Sequence, residues 1–347
     1  MKIGILTFHW ATNYGAVLQA FCLQEYLSRK GHNVWIINYR PDQYVFSWLR
    51  IAKNPGMLKK FSNILANWNK EKRLATFRDS FLNLTSRYSS VNELKEYIKD
   101  FDVLISGSDQ VLNPSFTLTG DNGNPSSVYW LGIGEINTRK IGYSVSFGCE
   151  HYPQVAADIA KQWVNGLDAI GVREDTGLQI LNQLGYNGMK KLLPDPTLLL
   201  GKDLFEKLGI SIPSKKGDYT CVYMLRHDVK IPGKVYYIDE KRHPLSMEQW
   251  LRMIVNAKYL VTNSYHGMIM ALMAHVPFAV LLETGRGSGM NDRFHTLLGR
   301  LNLDDRAVMS IEEALNVLYK SISFDEIEID IEKYRVEGEE FLNEFLN

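Results

Sequence analysis

The chain has few cysteines, no excess charge of either sign and no apolar run long enough to span a membrane. Its three cysteines, Cys22, Cys149 and Cys221, show no paired spacing, which argues against a disulfide framework and against a zinc cluster. Lys and Arg number 39, and so do Asp and Glu, so no overall field favours nucleic acid. The first ten residues lack the charged-then-apolar layout of a signal peptide. We therefore expect a cytoplasmic protein that binds no nucleic acid.

Length and patterning predict an α/β protein of two domains. At 347 residues the chain exceeds the usual size of one domain. Short apolar runs alternate with amphipathic helical stretches, which favours parallel sheets with helices on their faces. We predict a first Rossmann-like domain over residues 1–205, with a helical insertion at about 45–100, and a second over 206–323. Residues 324–347 are expected to form a helix that packs back toward the first domain, and the turn at 194–197 to link the halves.

The N-terminal βαβ unit places Asn13, Tyr14 and Gly15 at the start of its helix. An apolar strand at 2–8 precedes them, and a second strand is predicted at 34–39. The unit lacks G-x-G-x-x-G, so no dinucleotide fingerprint is present. Asn13 is a predicted N-cap, and Gly15 permits the close approach of a ligand or of a neighbouring strand. Simple packing is the alternative explanation of Gly15.

A basic stretch follows, in which seven Lys or Arg residues between Lys53 and Arg78 accompany the single Glu71. An amphipathic helix of this kind can lie on an anionic lipid surface or meet a phosphate-bearing acceptor. Alternatively, it exposes its charged face to solvent while its apolar stripe packs on its own domain.

Two loops of the first domain carry candidate site residues. Ser108 and Asp109 follow a predicted strand at 102–106, where α/β sheets bind ligands. Asp109 could bind a sugar hydroxyl or act as a general base, or it could cap the next turn. Arg173 ends a strand at 169–172, where its planar fork suits a carboxylate or phosphate. A salt bridge to a neighbouring acid is the alternative role.

In the second half, a strand at 259–262 leads through Asn263 and Ser264 into a helix that begins near His266. Free N–H groups in such a turn favour an anion, and His266 could face that anion as a proton donor. Alternatively, Ser264 and His266 only cap the helix. A second turn, ahead of the helix that starts near residue 291, could hold an anion through its backbone and Arg293.

Six short motifs occur in a fixed order along the chain. They are Asn-Tyr-Gly at 13–15, Gly-Ser-Asp-Gln at 107–110, Ser-Val-Ser-Phe-Gly at 144–148, Val-Arg-Glu-Asp-Thr at 172–176, Pro-Asp-Pro-Thr at 194–197 and Asn-Ser-Tyr-His-Gly-Met at 263–268. In this order the chain resembles the polysaccharide pyruvyl transferase family, roughly over residues 3–306. The resemblance implies a fold similar to the two-domain GT-B glycosyltransferases, with the active site in the cleft. It also implies transfer of pyruvate from phosphoenolpyruvate onto a sugar as a ketal.

Carried over by position, His266 matches the family's histidine, proposed as an acid or donor-binding group. Arg173 matches an arginine that would hold the donor's acidic groups, and Asp109 matches an acid in the Gly-rich loop. One position departs from the pattern, because many members have an arginine where this chain has Ser264. The missing charge must then come from another residue, or the donor differs. The candidates are Arg226, His227, Arg286 and Arg293.

These expectations define a site and its partners. We predict His266 and Asp109 as catalytic groups, and no metal or cofactor beyond phosphoenolpyruvate as donor substrate. The predicted substrate-binding residues are Asn13, Tyr14, Gly15, Ser108, Arg173, Arg226, Asn263, Ser264 and Arg293. The acceptor is expected to be a glycan, with a lipid-diphosphate carrier and peripheral contact with the inner face of the membrane as further expectations.

Two other functions fit the same predicted scaffold. One is a GT-B-like glycosyltransferase that uses a nucleotide sugar, for which Glu283 is the candidate ribose-binding acid. The other is a non-catalytic binding protein, to which the Ser264 departure lends support.

Overall fold

The computed structural model describes residues 1–45, 61–133, 138–225, 228–239 and 243–346, with the side chains of 61–64 and of 286 outside the description. The strands are β1 (Lys2–Leu6), β2 (Asn33–Ile36), β3 (Val103–Ser106), β4 (Arg139–Val145), β5 (Ala169–Val172), β6 (Met189–Leu192), β7 (Thr220–Tyr223), β8 (Val235–Tyr237), β9 (Tyr259–Thr262), β10 (Phe278–Leu281) and β11 (Ala307–Val308). The longer helices are α1 (Tyr14–Arg29), α2 (Phe61–Phe81), α3 (Val91–Tyr97), α4 (Pro114–Thr119), α5 (Gln154–Ala160), α6 (Asp175–Gln183), α7 (Pro196–Leu200), α8 (Asp203–Lys207), α9 (Met247–Val255), α10 (Tyr265–Met273), α11 (Asp292–Arg300), α12 (Ile311–Leu318) and α13 (Phe324–Leu346).

The strands form two parallel sheets. The first has the order β2-β1-β3-β4-β5-β6, and the second has the order β11-β10-β9-β7-β8. In both sheets the chain runs outward on either side of the first strand, so the strand order reverses beside β1 and beside β7. Ligands of open α/β sheets bind at the carboxyl ends of the strands near such a reversal. The predicted α/β fold with two parallel sheets is confirmed.

Local patterns explain several elements. Asn13 has extended backbone angles and its side chain accepts a hydrogen bond from the N–H of Ala16, so it caps α1 as predicted. The strand at 169–172 and the strand at 259–262 have the predicted bounds. Helix α10 is buried on all sides, since each of its nine residues is buried. A helix that is apolar all round belongs in the interior, and α10 lies between the second sheet and α1.

Some predicted elements differ in extent. The strand expected at 34–39 ends at Ile36, and the chain continues with isolated pairings of Ile36 with Leu84 and of Tyr39 with Tyr88. These pairings join the β2 edge to the segment after α2. Helix α13 packs on the first sheet, because Gly338 lies against Tyr143 of β4. The domain boundaries near residues 205 and 323 stay predictions.

The turn at 194–197 is not a mere link between the halves, and that expectation was wrong. Asp195 caps α7 through its side chain, and α7 packs against α1 within the first domain. The side chain of Asp195 is fully buried at the carboxyl end of β6. A buried carboxylate needs partners, and those partners lie in the candidate site.

Candidate active site

The amino-terminal ends of α1 and α10 face each other across the cleft. Gly15 lies in the first turn of α1, and a Cβ atom placed on it would fall 2.0 Å from Nδ1 of His266. No side chain other than hydrogen fits at that distance, so Gly15 allows α1 to contact the imidazole ring. From the sequence, Gly15 could allow the close approach of a ligand or of a neighbouring strand, or it could serve simple packing. In the structure, the close neighbour of Gly15 is His266.

A buried carboxylate connects the two halves of the site. Oδ2 of Asp195 lies 2.8 Å from Nη2 of Arg173 and 3.4 Å from Nε2 of His266. Ser108 Oγ donates to the same oxygen at 3.2 Å, and Arg173 Nη2 also contacts Ser108 Oγ. Burial alone would raise the pKa of Asp195, but the Arg173 guanidinium, His266 and Thr197 hold that pKa below its ordinary value. Asp195 is therefore ionised and central to the cluster.

Two arginines lie near the ring of Tyr265. The Cζ atoms of Arg173 and Arg293 lie 5.1 Å and 5.5 Å from the ring centroid, and both side chains are buried. Within the described ranges, Nε and Nη1 of Arg173 and Nε of Arg293 have no hydrogen-bond partner. Buried donors of this kind cost free energy unless a ligand accepts from them. The pair is therefore a candidate anion site.

Electrostatics ties this pair to two acids. Burial and the Arg173 guanidinium lower the pKa of Arg293, and the carboxylates of Asp109 and Glu174 offset part of that effect. Oε1 of Glu174 accepts from the N–H of Phe147 at 2.7 Å, and burial raises the pKa of Glu174. Asp109 has a φ of +86°, a strained value for a residue with a side chain. Its strained backbone lies beside the candidate anion site.

Ser264 and Asn263 have structural partners. Ser264 Oγ accepts from the N–H of Gly267 at 3.2 Å and caps α10. Asn263 accepts from the N–H of Leu225 and donates to Glu283 Oε1, both at 2.7 Å. The Ser264 hydroxyl therefore does not replace an arginine. Asn263 holds the ends of β7 and β10 together, which is a positioning role that its sequence context did not distinguish from ligand binding.

Tyr14 has structural partners in the second half of the chain, and its contact with substrate stays a prediction. Its ring is fully buried and stacks on Trp250 at 5.2 Å between centroids and 10° between planes. Its hydroxyl donates to the carbonyl of Leu245 at 2.7 Å and accepts from the N–H of Leu245 at 3.0 Å. Tyr14 therefore anchors α1 to the second domain, because aromatic burial between the halves outweighs its proximity to Gly15 in sequence.

The basic stretch does not form one solvent-exposed face. Lys70 and Arg78 are buried, and Arg78 pairs with Glu71, whose other oxygen accepts from Thr12. In the described part of the stretch, Lys72 is among the residues that are exposed. Glu71 is therefore a partly buried acid that pairs with Arg78, and not an isolated acid on an exposed basic surface.

Of the four residues that could replace the missing family arginine, only Arg293 has a described side chain. Arg226 and His227 lie outside the described residues, and the side chain of Arg286 is not described. Arg293 is described, and it lies beside Arg173. Sequence reasoning missed Asp195, Glu174 and Tyr265 as members of the cluster. The available signal was the set of family motifs, because the motifs at 172–176, 194–197 and 263–268 contain Glu174, Asp195 and Tyr265, respectively.

The described residues show neither a metal cluster nor a membrane-spanning helix. They contain no group of three or more His, Cys, Asp or Glu side chains arranged to hold a metal ion. Of the helices in the described ranges, none combines the length and the hydropathy needed to cross a lipid bilayer.

Comparison with known proteins identifies a family and a shared fold. The family model described as Polysaccharide pyruvyl transferase matches residues 13–283. No curated protein sequence matches the chain. Among solved structures, UDP-N-acetylglucosamine 2-epimerase from Rickettsia bellii aligns with a TM-score of 0.53 at 9% identity, covering 99% of this chain and 95% of that one. Anabaena Alr3699/HepE in complex with UDP-glucose gives a TM-score of 0.49 at 9% identity, covering 99% of this chain and 100% of that one.

At these identities the similarity to the epimerase concerns the fold alone, and it agrees with a GT-B-like arrangement of two parallel sheets. The family match extends over most of the chain and includes Gly15, Asp109, Arg173, Asp195 and His266. This chain belongs to the polysaccharide pyruvyl transferase family.

Proposed function

We propose that this protein transfers pyruvate from phosphoenolpyruvate onto two hydroxyls of a sugar in a cell-surface or capsular polysaccharide precursor, with release of phosphate. The observation that carries the proposal is the pair of buried arginines, Arg173 and Arg293, which both lie near the ring of Tyr265 and have N–H donors without partners among the described residues. Phosphoenolpyruvate has a carboxylate and a phosphate close together, and planar guanidinium groups bind both kinds of oxyanion. The family match supports the same donor.

Arg293 supplies the charge that the Ser264 position lacks. Its guanidinium comes from α11, beyond the residues matched by the family model, yet it lies beside the same tyrosine as Arg173. Burial lowers the pKa of Arg293, and repulsion by the like charge of Arg173 lowers it further. A dianion that accepts hydrogen bonds from both guanidinium groups would reduce that repulsion. The geometry therefore favours a donor with at least two negative charges.

His266 is the proposed acid. Its Nε2 atom lies on the side of Asp195 and Arg173, so this nitrogen is placed to give a proton to the methylene carbon of the donor. The first sugar hydroxyl then attacks C2 while Asp109 takes its proton. The bond between C2 and the phosphate oxygen breaks, and the second hydroxyl closes the ketal as its proton passes to the leaving phosphate. The products are the ketal and inorganic phosphate.

The structure weakens the case for a nucleotide-sugar donor. Glu283 was the candidate ribose-binding acid, but it is buried and its carboxylate accepts a hydrogen bond from Asn263. Its backbone is also held, since its N–H donates to Asn291 Oδ1 and its carbonyl accepts from Asn291 Nδ2. A ribose would have to replace these bonds.

The test is a phosphate-release assay with phosphoenolpyruvate and a panel of galactose- or mannose-bearing acceptors. We expect release that requires both the donor and one acceptor, and thermal stabilisation by phosphoenolpyruvate but not by nucleotide sugars. Stabilisation by a nucleotide sugar, with no phosphate released from phosphoenolpyruvate, would favour the glycosyltransferase function. The absence of binding by either donor class would favour a non-catalytic protein.

The proposed setting is the cytoplasm, with the acceptor on a lipid diphosphate at the inner face of the membrane. The support for a lipid carrier lies in the exposed part of the basic stretch, which includes Lys72 and Arg73. The measurement is co-sedimentation with anionic vesicles, compared between the wild type and the K72E/R73E variant. Equal sedimentation of both proteins would remove this support.

A further inference from the structure

Asp195 contacts both Arg173, the proposed donor-binding group, and His266, the proposed acid. One of its oxygens is held within the first domain, and the other meets Arg173 of that domain and His266 of the second. We infer that Asp195 is a positioning residue that sets the direction of the Arg173 guanidinium and of the His266 imidazole toward the donor. This inference rests on the proposed function and adds to it a residue that the sequence had suggested only as part of a turn.

The orientation of the carboxylate is set by its own helix. Oδ1 of Asp195 accepts from the N–H of Thr197 at 2.9 Å and from its hydroxyl at 2.6 Å. These two bonds at the start of α7 fix the plane of the carboxyl group, so Oδ2 has one available direction. That direction is toward Nη2 of Arg173 at 2.8 Å and Ser108 Oγ at 3.2 Å. The anchor is therefore built before any ligand enters.

A fixed Oδ2 determines where the unused donors of Arg173 point. The guanidinium is planar, so a bond at Nη2 sets the plane in which Nε and Nη1 lie. Both of these atoms are buried, and neither has a partner among the described residues. The guanidinium carbon of Arg173 lies 5.1 Å from the ring centroid of Tyr265, and that of Arg293 lies 5.5 Å from it. Nε of Arg293 is also buried without a hydrogen-bond partner in the described part of the chain. Asp195 thus directs two N–H groups of Arg173 into the anion site.

The contact with His266 crosses the cleft. Asp195 follows β6 of the first sheet, whereas His266 follows β9 of the second. Oδ2 lies 3.4 Å from Nε2, a charge-pair distance, and Nε2 has no hydrogen-bond partner among the described residues, while Gly15 packs against the ring near Nδ1. The ring is thereby held on two sides by groups of the first domain. His266 acquires this orientation only when the two domains take the arrangement seen here.

The decisive measurement compares Asp195→Asn in two backgrounds. In the otherwise wild-type protein, we expect kcat for phosphate release to fall by about 10²-fold, in the range for a misplaced acid. The KM for phosphoenolpyruvate should rise, because Nε and Nη1 of Arg173 are no longer held in the direction of the donor. In the His266→Gln background the same substitution should change kcat by less than about threefold, because groups that act as a unit are not additive. Asp168→Asn, another first-domain carboxylate that accepts a backbone N–H at 2.7 Å, is the matched control.

A second readout does not depend on the reaction. The imidazole ¹H–¹⁵N spectrum, with His266 assigned through His266→Gln, should contain an Nε2 proton signal that Asp195→Asn shifts or removes and Asp168→Asn leaves in place. If Asp195→Asn does not fold, Thr197→Val takes its place, since it removes one of the two bonds to Oδ1. That variant should lower kcat by about three- to tenfold, and it should do so only when His266 is present.

The outcomes separate this inference from the proposed function. A wild type that releases no phosphate from phosphoenolpyruvate overturns the proposed donor, and the imidazole signal then decides the contact between Asp195 and His266 by itself. An equal loss of kcat in both backgrounds, or an imidazole signal that Asp195→Asn leaves unchanged, overturns the positioning role while phosphate release by the wild type stands.

Discussion

Gly15 of the first half contacts His266 of the second half so closely that position 15 has no room for a side chain larger than hydrogen. A Cβ atom at position 15 would lie 2.0 Å from Nδ1 and 2.4 Å from Cγ of the imidazole. Real Cβ atoms do not approach other heavy atoms so closely, so any side chain at this position must displace the ring or part the domains. The contact therefore links the first turn of α1 to the orientation of the proposed acid.

Gly15→Ala should impair turnover more than stability. Overpacking of a buried site costs about 1–3 kcal/mol, whereas a displacement of a catalytic group by about 1 Å can cost 10²-fold in rate. We expect kcat to fall by about 10²-fold, in line with such a displacement, while the protein remains folded by circular dichroism. Gly166→Ala is the control, because a Cβ there would meet nothing within 4 Å. Wild-type kcat in Gly15→Ala would show that the ring position does not matter.

His266→Ala should slow phosphate release by about 10²–10⁴-fold while the fold stays intact. Loss of a general acid costs about 10²–10⁴-fold in rate, and the alanine leaves α10 and its Ser264 cap unchanged. The assay is phosphate release with phosphoenolpyruvate and acceptor, alongside a thermal melt. His295→Ala, on the exposed side of α11, should behave as the wild type. Phosphate release at the wild-type rate by His266→Ala would remove this histidine from the mechanism.

Arg293→Gln should weaken donor binding with little loss of stability. A hydrogen bond to a charged group contributes about 1.5–3 kcal/mol, so the KM for phosphoenolpyruvate should rise by about 10- to 100-fold. Stability should be nearly unchanged, or slightly higher, because the substitution removes a buried charge that faces Arg173. Arg300→Gln, at the exposed end of the same helix, is the matched control. An unchanged donor KM in Arg293→Gln would make Arg293 a structural residue.

Arg173 is a different case, because Asp195 depends on it. Its removal leaves a buried, uncompensated carboxylate, and breaking such a pair costs about 3–5 kcal/mol. Arg173→Ala should therefore lose both donor affinity and stability, which urea unfolding would measure. A loss of donor affinity without any loss of stability would mean that the pair with Asp195 contributes little to the fold.

Two buried acids of the site should have opposite effects on stability as pH changes. The folded pKa of Asp195 lies below its ordinary value, so its stabilising effect is present above about pH 3.9, the unfolded value, and is lost as pH falls. Burial raises the folded pKa of Glu174, so its effect is present below about pH 4.3 and is lost as pH rises through the folded pKa.

Urea unfolding of Asp195→Asn and Glu174→Gln at several pH values measures this contrast. The stability deficit of Asp195→Asn relative to the wild type should be largest at neutral pH and shrink on acidification. The free energy of unfolding of Glu174→Gln, relative to that of the wild type, should increase as pH rises from 4 toward neutral. A deficit of Glu174→Gln that grows with pH would mean that this carboxylate is stabilised in its charged form.

Local features of the chain could be predicted because neighbouring residues determine them. The strands at 169–172 and 259–262 are short apolar runs bounded by polar turns, and the cap at Asn13 depends on residues within one helical turn. The order of six motifs was sufficient to indicate the family. The position of the site at the carboxyl ends of the strands follows from the alternation of strands and helices alone.

Contacts between the two sheets could not be predicted in this way. Tyr14 and Gly15 are adjacent in sequence, yet one is buried against Trp250 and the other faces His266. Asp195 was interpreted as part of a turn because its neighbours are prolines, and only its distance from His266 and Arg173 reveals the cluster. Nothing near residue 293 in the sequence indicates that its guanidinium lies beside Arg173.

By itself, the sequence determined which segments are helices and strands, where the helix caps lie and to which family the chain belongs, since each depends on short spacing and residue type. The tertiary structure alone placed the Arg293 guanidinium near the ring of Tyr265 and a carboxylate oxygen of Asp195 3.4 Å from Nε2 of His266. The physical reason is that burial and charge pairing act through space. They join residues from two separate sheets, whose mutual placement no local pattern encodes.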